Sequence, residues 1–235
     1  MARNANTRYF NARLTKAEII AGWCYLPFYL VLLSVLLQHL FRALQIPLDS
    51  IVLNIAYFSV NLAAVLLIFH NFLRQRFFGA SFWEFLQACI LGFVFYQAGT
   101  WAVQFAVTKL GGTLEIYNND TVEGMVLQNR YVMLAISVVL APVIEETLLR
   151  GLVFGSIRTA SRPMAYITSI FIFTMMHNWQ YFGLYPFGSM LLSCLAYVPA
   201  SAALCWTYEK AGTIWAPITI HAIINAISFG IVVLP

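Results

Sequence analysis

The sequence predicts an all-α, polytopic transmembrane helix bundle of about seven spans, and three observations carry that prediction. Hydrophobic residues make up 61% of the 235-residue chain and charged residues only 9%, against about 25% charged in soluble domains. The mean hydropathy is +0.79. Apolar runs recur at the length a membrane crossing needs, about 20 residues, and short polar or Gly/Pro connections separate most of them.

The first run, Ile19–Phe41, follows a basic segment containing Arg3, Arg8, Arg13 and Lys16. It exceeds the core of a cleaved signal peptide, roughly 7–15 residues, and so reads as a span. Ile51–Leu73 and Phe85–Leu110 follow as the second and third spans, and Tyr131–Ile157 as the fourth. Between the third and fourth, Gly111 to Arg130 carries Glu115, Asp120 and Glu123 and reads as a longer acidic loop. Pro163–Phe182, Phe187–Tyr208 and Thr213–Leu234 complete the seven. His39 and His70 fall near span ends and are expected at the interface.

Lysine and arginine placement orients the bundle. With the N-terminus in the cytoplasm, Arg3, Arg8, Arg13, Lys16, Arg74, Arg76, Arg158, Arg162 and Lys210 lie inside. Only Arg42, Lys109 and Arg130 then lie outside, so the positive-inside rule favours N-in. The basic residues form no stripe, which argues against nucleic acid as a partner despite the net charge of +4. Cys24, Cys89, Cys194 and Cys205 all sit in apolar runs without a CxxC pattern, and read as packing residues.

Three charges interrupt the middle of the fourth span: Glu145, Glu146 and Arg150. Each costs roughly 3 kcal/mol at mid-membrane before any pairing. Glu146 precedes Arg150 by four residues, so the two share a helix face and can pair. Glu145 is turned about 100° away and lacks that partner. One carboxylate is thus structural, while the other suits a buried general base. Pro142 frees a backbone carbonyl beside the acid pair and is expected to kink the helix. His177 sits one turn after Phe173 in the fifth span, and His221 one turn before Asn225 in the seventh. Each would be an expensive polar group alone, so convergence with the acid pair is the economical arrangement.

Taken in order, Glu145-Glu146-x-x-x-Arg150-Gly151, Phe173-x-x-x-His177 and Pro217-x-x-x-His221-x-x-x-Asn225 resemble the three motifs of the CAAX-protease and bacteriocin-processing (CPBP, or Abi) membrane proteins. The resemblance runs from about Tyr131 to the C-terminus; Leu149 departs from it, standing where the family usually has an aromatic residue. It divides the chain into a variable N-terminal part, residues 1–130, and a catalytic core, residues 131–235.

The resemblance implies an intramembrane endopeptidase acting on a hydrophobic or membrane-tethered, CAAX-type peptide. Glu145 would activate a water that His177 holds, His221 and Asn225 would donate to the oxyanion, and Glu146 with Arg150 would support the site. The family is commonly labelled metalloprotease. His177, His221 and Glu145 or Glu146 offer a zinc-type donor set, and a metal-free glutamate mechanism suits the same residues. The competing reading is a non-proteolytic scaffold or bacteriocin-immunity protein that uses the polar cluster structurally. A short chain without an ER-retention signal points to a prokaryotic plasma membrane, with membrane lipid and a hydrophobic peptide as partners.

Overall fold

The computed structural model describes residues 10 and 12–233, with the side chains of 231–233 set aside. Arg3, Arg8 and the expected span limit Leu234 lie outside the described residues. The long helices are α1 (Lys16–Ala43), α2 (Ser50–Ile68) and α3 (Phe82–Lys109), then α4 (Tyr117–Gln128) and α5 (Arg130–Arg158). They continue as α6 (Arg162–Asn178), α7 (Phe187–Ala211) and α8 (Trp215–Val233). Among the described residues there is no strand, only an isolated bridge between Phe182 and Tyr185. Each of the seven apolar runs thus holds a helix. By length and hydropathy α1, α2, α3, α5 and α7 suffice to cross a membrane, and Trp215–Gly230 in α8 is a shorter apolar helix.

Polarity is inverted relative to a soluble protein. Leu67, Trp101, Phe105 and Leu110 are exposed, whereas Glu146, Arg150, Ser169, Asn178, Ser193 and Ser201 are fully buried. A lipid surround explains both, because apolar side chains lose nothing there and polar ones must find partners inside the protein.

Helix α5 is the axis of the bundle. Ile144, Leu148, Leu149, Leu152, Val153 and Phe154 are all completely buried and pack against Leu26 of α1, Val65 of α2, Phe69 just beyond it and Phe72 of the single turn His70–Leu73. The turn is tied to the start of α1: Glu18 accepts from the Phe72 amide (2.8 Å) and closes a capping box with Thr15. Helices α3 and α7 approach closely where α3 carries glycine. A Cβ on Gly92 would overlap Thr207, and one on Gly99 would press on Pro199. Small residues at such crossings let helix backbones pack in the absence of a hydrophobic drive.

The stretch 111–130 departs from the loop expected there, because residues 117–128 form α4. Tyr117 packs on Tyr181 and Met190, and Val126 joins Ile51, Met133 and Ile136, with Val122 and Met125 beside them. Polar composition masks this helix in the sequence, and tertiary packing of one face stabilises it.

Candidate active site

Helix α5 is not α-helical throughout. Residues Ala135–Leu140 and Thr147–Phe154 are π-helical, with the acid pair on the α-helical turn between them. Such widened turns leave carbonyls unserved and are frequent at functional sites. Here the side chains of α5 and its neighbours serve several of them. Thr147 donates to Val143 O (2.7 Å), and Ser169 on α6 donates to Leu149 O (3.3 Å).

Pro142 makes one carbonyl special. The Ala141 amide reaches back five residues to Ile136 O, and the next amide position, which would serve Ser137 in that pattern, is a proline. The side chain of Asn225 fills the gap, donating Nδ2 to Ser137 O at 2.7 Å. Asn225 therefore locks α8 onto the irregular turn of α5. One of its two amide hydrogens is committed there.

The acid pair divides as helix geometry requires. Glu146 Oε1 accepts from Arg150 Nη1 at 3.0 Å and from His221 Nδ1 at 2.7 Å, in a completely buried ion pair. Arg150 also donates to the carbonyl and hydroxyl of Ser201 on α7 (3.2 and 2.9 Å), and its guanidinium lies 4.5 Å from the Phe173 ring centroid. Four helices are thereby joined through one arginine and one carboxylate.

Glu145 points elsewhere. Its Oε2 lies 4.0 Å from His177 Nε2 and 3.9 Å from His221 Nε2, and it is buried without a hydrogen-bond partner among the described residues. The other nitrogen of each ring fixes its proton. His177 Nδ1 lies 2.9 Å from Phe173 O, which can only accept, and His221 Nδ1 faces a carboxylate oxygen already paired with arginine. In the neutral rings Nδ1 therefore carries the hydrogen and Nε2 presents its lone pair toward Glu145. Two nitrogens and a carboxylate oxygen converge across gaps too long for direct hydrogen bonds and suited to a small bridging donor.

These are donor types that zinc takes. Zinc at its usual bond lengths draws neighbouring donor atoms to about 3.3 Å of one another, closer than the 3.9–4.0 Å found here. Among the described residues no group of three or more His, Cys, Asp or Glu is arranged to hold a metal ion. As placed, the donor atoms stand wider apart than zinc ligands do.

Of the residues singled out in the sequence, Glu145, Glu146, Arg150, His177 and His221 form one connected cluster, and Asn225 joins α8 to the turn before it. His39 is exposed, and His70 sits at the short turn with Nδ1 on Leu67 O, away from the cluster. Around the cluster Phe173 is joined by tyrosines that belong to none of the three motifs. The Tyr197 ring lies 4.6 Å from His177, as does that of Phe173 on the other contact, and Tyr29 of α1 is fully buried with its hydroxyl on Met176 Sδ (3.2 Å). The signal was present: tyrosine favours the membrane interface, whereas Tyr29, Tyr57 and Tyr197 stand inside apolar runs.

Residues 127–227 match the family model described as type II CAAX prenyl endopeptidase Rce1-like, a stretch that contains Glu145, Glu146, Arg150, His177, His221 and Asn225. No curated protein and no solved structure matches the chain.

Proposed function

We propose that this chain, which belongs to the CAAX-type endopeptidase family through residues 127–227, hydrolyses a peptide bond in a hydrophobic or membrane-tethered peptide with a water activated by Glu145. The observation that carries the proposal is the unpartnered Oε2 of Glu145, facing the Nε2 atoms of His177 and His221. A water there donates one hydrogen to a histidine nitrogen and gives the other to Glu145 as its oxygen attacks the scissile carbonyl. The tetrahedral intermediate then collapses with cleavage of the C–N bond, and Glu145 passes the proton to the leaving amine. The products are a carboxylic acid and an amine, and the carboxylate is restored. General-base assistance of this kind contributes about 10²–10⁴-fold.

The remaining polar residues hold this arrangement. Glu146 and Arg150 keep His221 in the tautomer whose Nε2 faces the reaction centre, and the Phe173 carbonyl does the same for His177. The catalytic core is assigned to residues 131–235, in an integral protein of a prokaryotic plasma membrane with its N-terminus cytoplasmic. The substrate is drawn from peptides that lipid or their own apolar sequence holds at the bilayer, a CAAX-type tail among them.

Replacement of Glu145 by Gln tests the reading. In proteoliposomes with an internally quenched, prenylated CAAX-type peptide, Glu145→Gln is expected to lower kcat by about 10²–10⁴-fold while thermal unfolding is unchanged. Cleavage at the parental rate would overturn the assignment and leave the cluster with a structural role. The same assay after exhaustive chelation is expected to show undiminished cleavage. Loss of activity restored by zinc would replace the metal-free step.

A further inference from the structure

A second group of charges lies at the end of the bundle remote from the acid–histidine cluster. Arg158 closes α5 thirteen residues after Glu145, roughly 20 Å along the helix at 1.5 Å per residue. There Glu209, near the end of α7, accepts from Arg158 Nε (2.6 Å), from Arg162 Nη2 (2.8 Å) and from the Tyr166 hydroxyl (3.0 Å). One carboxylate thus gathers α5, α6 and α7, and both of its oxygens are occupied. The cations are not used up in the same way. Arg162 turns Nε and Nη2 to Glu209, while its Nη1 makes no hydrogen bond among the described residues and its side chain is 56% exposed. Lys210 is exposed, stands over the Trp206 ring at 5.8 Å from the centroid, and makes no ion pair among the described residues. Arg158, Arg162 and Lys210 against Glu209 leave this corner with an excess of positive charge.

Beside these charges runs an open groove of about 370 Å³, lined by Phe95 of α3, by Arg162, Pro163 and Tyr166 of α6, and by Ala202 and Trp206 of α7. Helical period orders it. On α7, Lys210, Trp206 and Ala202 follow at four-residue spacing, and on α6 Arg162 and Tyr166 do the same. Each such step moves about one turn, 5.4 Å, away from the charged end along one helix face. The cations therefore stand at the mouth, the aromatic rings come next, and the small Ala202 leaves the far end open. Phe95 and Trp206, with ring centroids 6.5 Å apart, form the wall toward α3. The mouth is also the N-terminus of α6, where the helix dipole favours an anion.

Charge and polarity together select the occupant. A soluble anion satisfies the mouth alone, and a neutral lipid satisfies the apolar groove alone. Basic pockets between membrane helices recruit acidic lipid headgroups. We propose that this groove binds an anionic phospholipid, its phosphate between Arg162 and Lys210 and one acyl chain along Tyr166, Trp206 and Ala202. The lipid clamps α6 to α7 at the end away from Glu145, and the proposal does not depend on the peptidase reading.

The test titrates the intact chain in detergent micelles with dioleoylphosphatidylglycerol, reads bound lipid by native mass spectrometry, and uses dioleoylphosphatidylcholine as the neutral reference. The parent is expected to retain one phosphatidylglycerol at least about tenfold more tightly than phosphatidylcholine, the worth of a charge-assisted hydrogen bond. Arg162→Gln and Lys210→Gln are each expected to remove most of that preference. Ala202→Phe fills the groove without changing charge and is expected to lose phosphatidylglycerol to the same extent. Lys210→Gln and Ala202→Phe touch no hydrogen bond of Glu209, so their folding does not hinge on that network. Arg74→Gln removes an exposed cation outside the groove and is expected to stay within about twofold of the parent. Equal retention of the two lipids by the parent overturns the proposal. So does a loss in Arg74→Gln equal to that in Lys210→Gln, which would reduce the effect to general surface charge, and so does parental binding by Ala202→Phe. Displacement of the lipid by an equal concentration of glycerol 1-phosphate would assign the cations to a soluble phosphate, and displacement by the prenylated peptide would assign the groove to the substrate. Either result overturns the proposal as well.

Discussion

Glu146 and Arg150 differ from Glu145 by what each charge meets. Glu146 Oε1 receives two donors, and Arg150 donates to Glu146 and to Ser201 of α7 and lies against the Phe173 ring of α6, so the two opposite charges meet each other at fully buried positions. Removing one partner leaves the other uncompensated, which for buried pairs costs about 3–5 kcal/mol. Arg150→Met is therefore expected to lower unfolding free energy in detergent by about that amount. Adding Glu146→Gln should recover part of it, and the coupling can be read from a double-mutant cycle. Additive losses would show that the pair does not act as a unit. Helical spacing makes this pairing visible in the sequence, because residues four apart share a face. The third partner, His221, is 75 residues away and no local spacing points to it.

At the scale of elements, the irregular turns of α5 and α1 matter more than their length. The turns Phe28–Leu32 of α1 and Ala135–Leu140 of α5 each lie beside a proline, each moves a hydrogen bond from four residues back to five, and each is serviced by a side chain from another helix. For α5 the logic can be tested by restoring the missing donor. Asn225→Ala should destabilise the fold by about 1–3 kcal/mol, the cost of an unserved buried carbonyl. Pro142→Ala, introduced with it, should return part of that stability by supplying a backbone amide. Equal stability of the single and double variants in thermal melts would refute the assignment of Asn225 to this carbonyl. Pro142 marks the irregularity in the sequence. Which carbonyl is freed, and which residue answers it, depends on the neighbouring helix.

The whole molecule turns polar groups inward and apolar ones outward, and its helices must associate without help from water. Close backbone approach substitutes for hydrophobic collapse where α3 meets α7, since the Cβ position of Gly92 coincides with space that Thr207 occupies. Gly92→Val is expected to force the helices apart, lowering the melting temperature in detergent clearly more than Gly124→Val, at a glycine with open space around it. Equal melting temperatures for the two would remove the packing argument. The lipid-facing majority of α3 is expected to tolerate apolar exchanges by comparison.

Composition and run length by themselves determined an all-α membrane protein, because hydrocarbon admits few backbone solutions and each needs a recognisable apolar length. Motif order singled out the acid pair, the arginine, both histidines and the asparagine, and helical period separated Glu146 from Glu145. Tertiary structure alone decided that His221 bonds Glu146 while its other nitrogen faces Glu145, that Asn225 reaches Ser137, and that residues 117–128 fold as a helix. The physical reason is that each depends on packing against another helix. Period and hydropathy report how a segment satisfies its own backbone, whereas a buried polar group is satisfied by whichever side chain the packing of another helix brings within hydrogen-bonding distance.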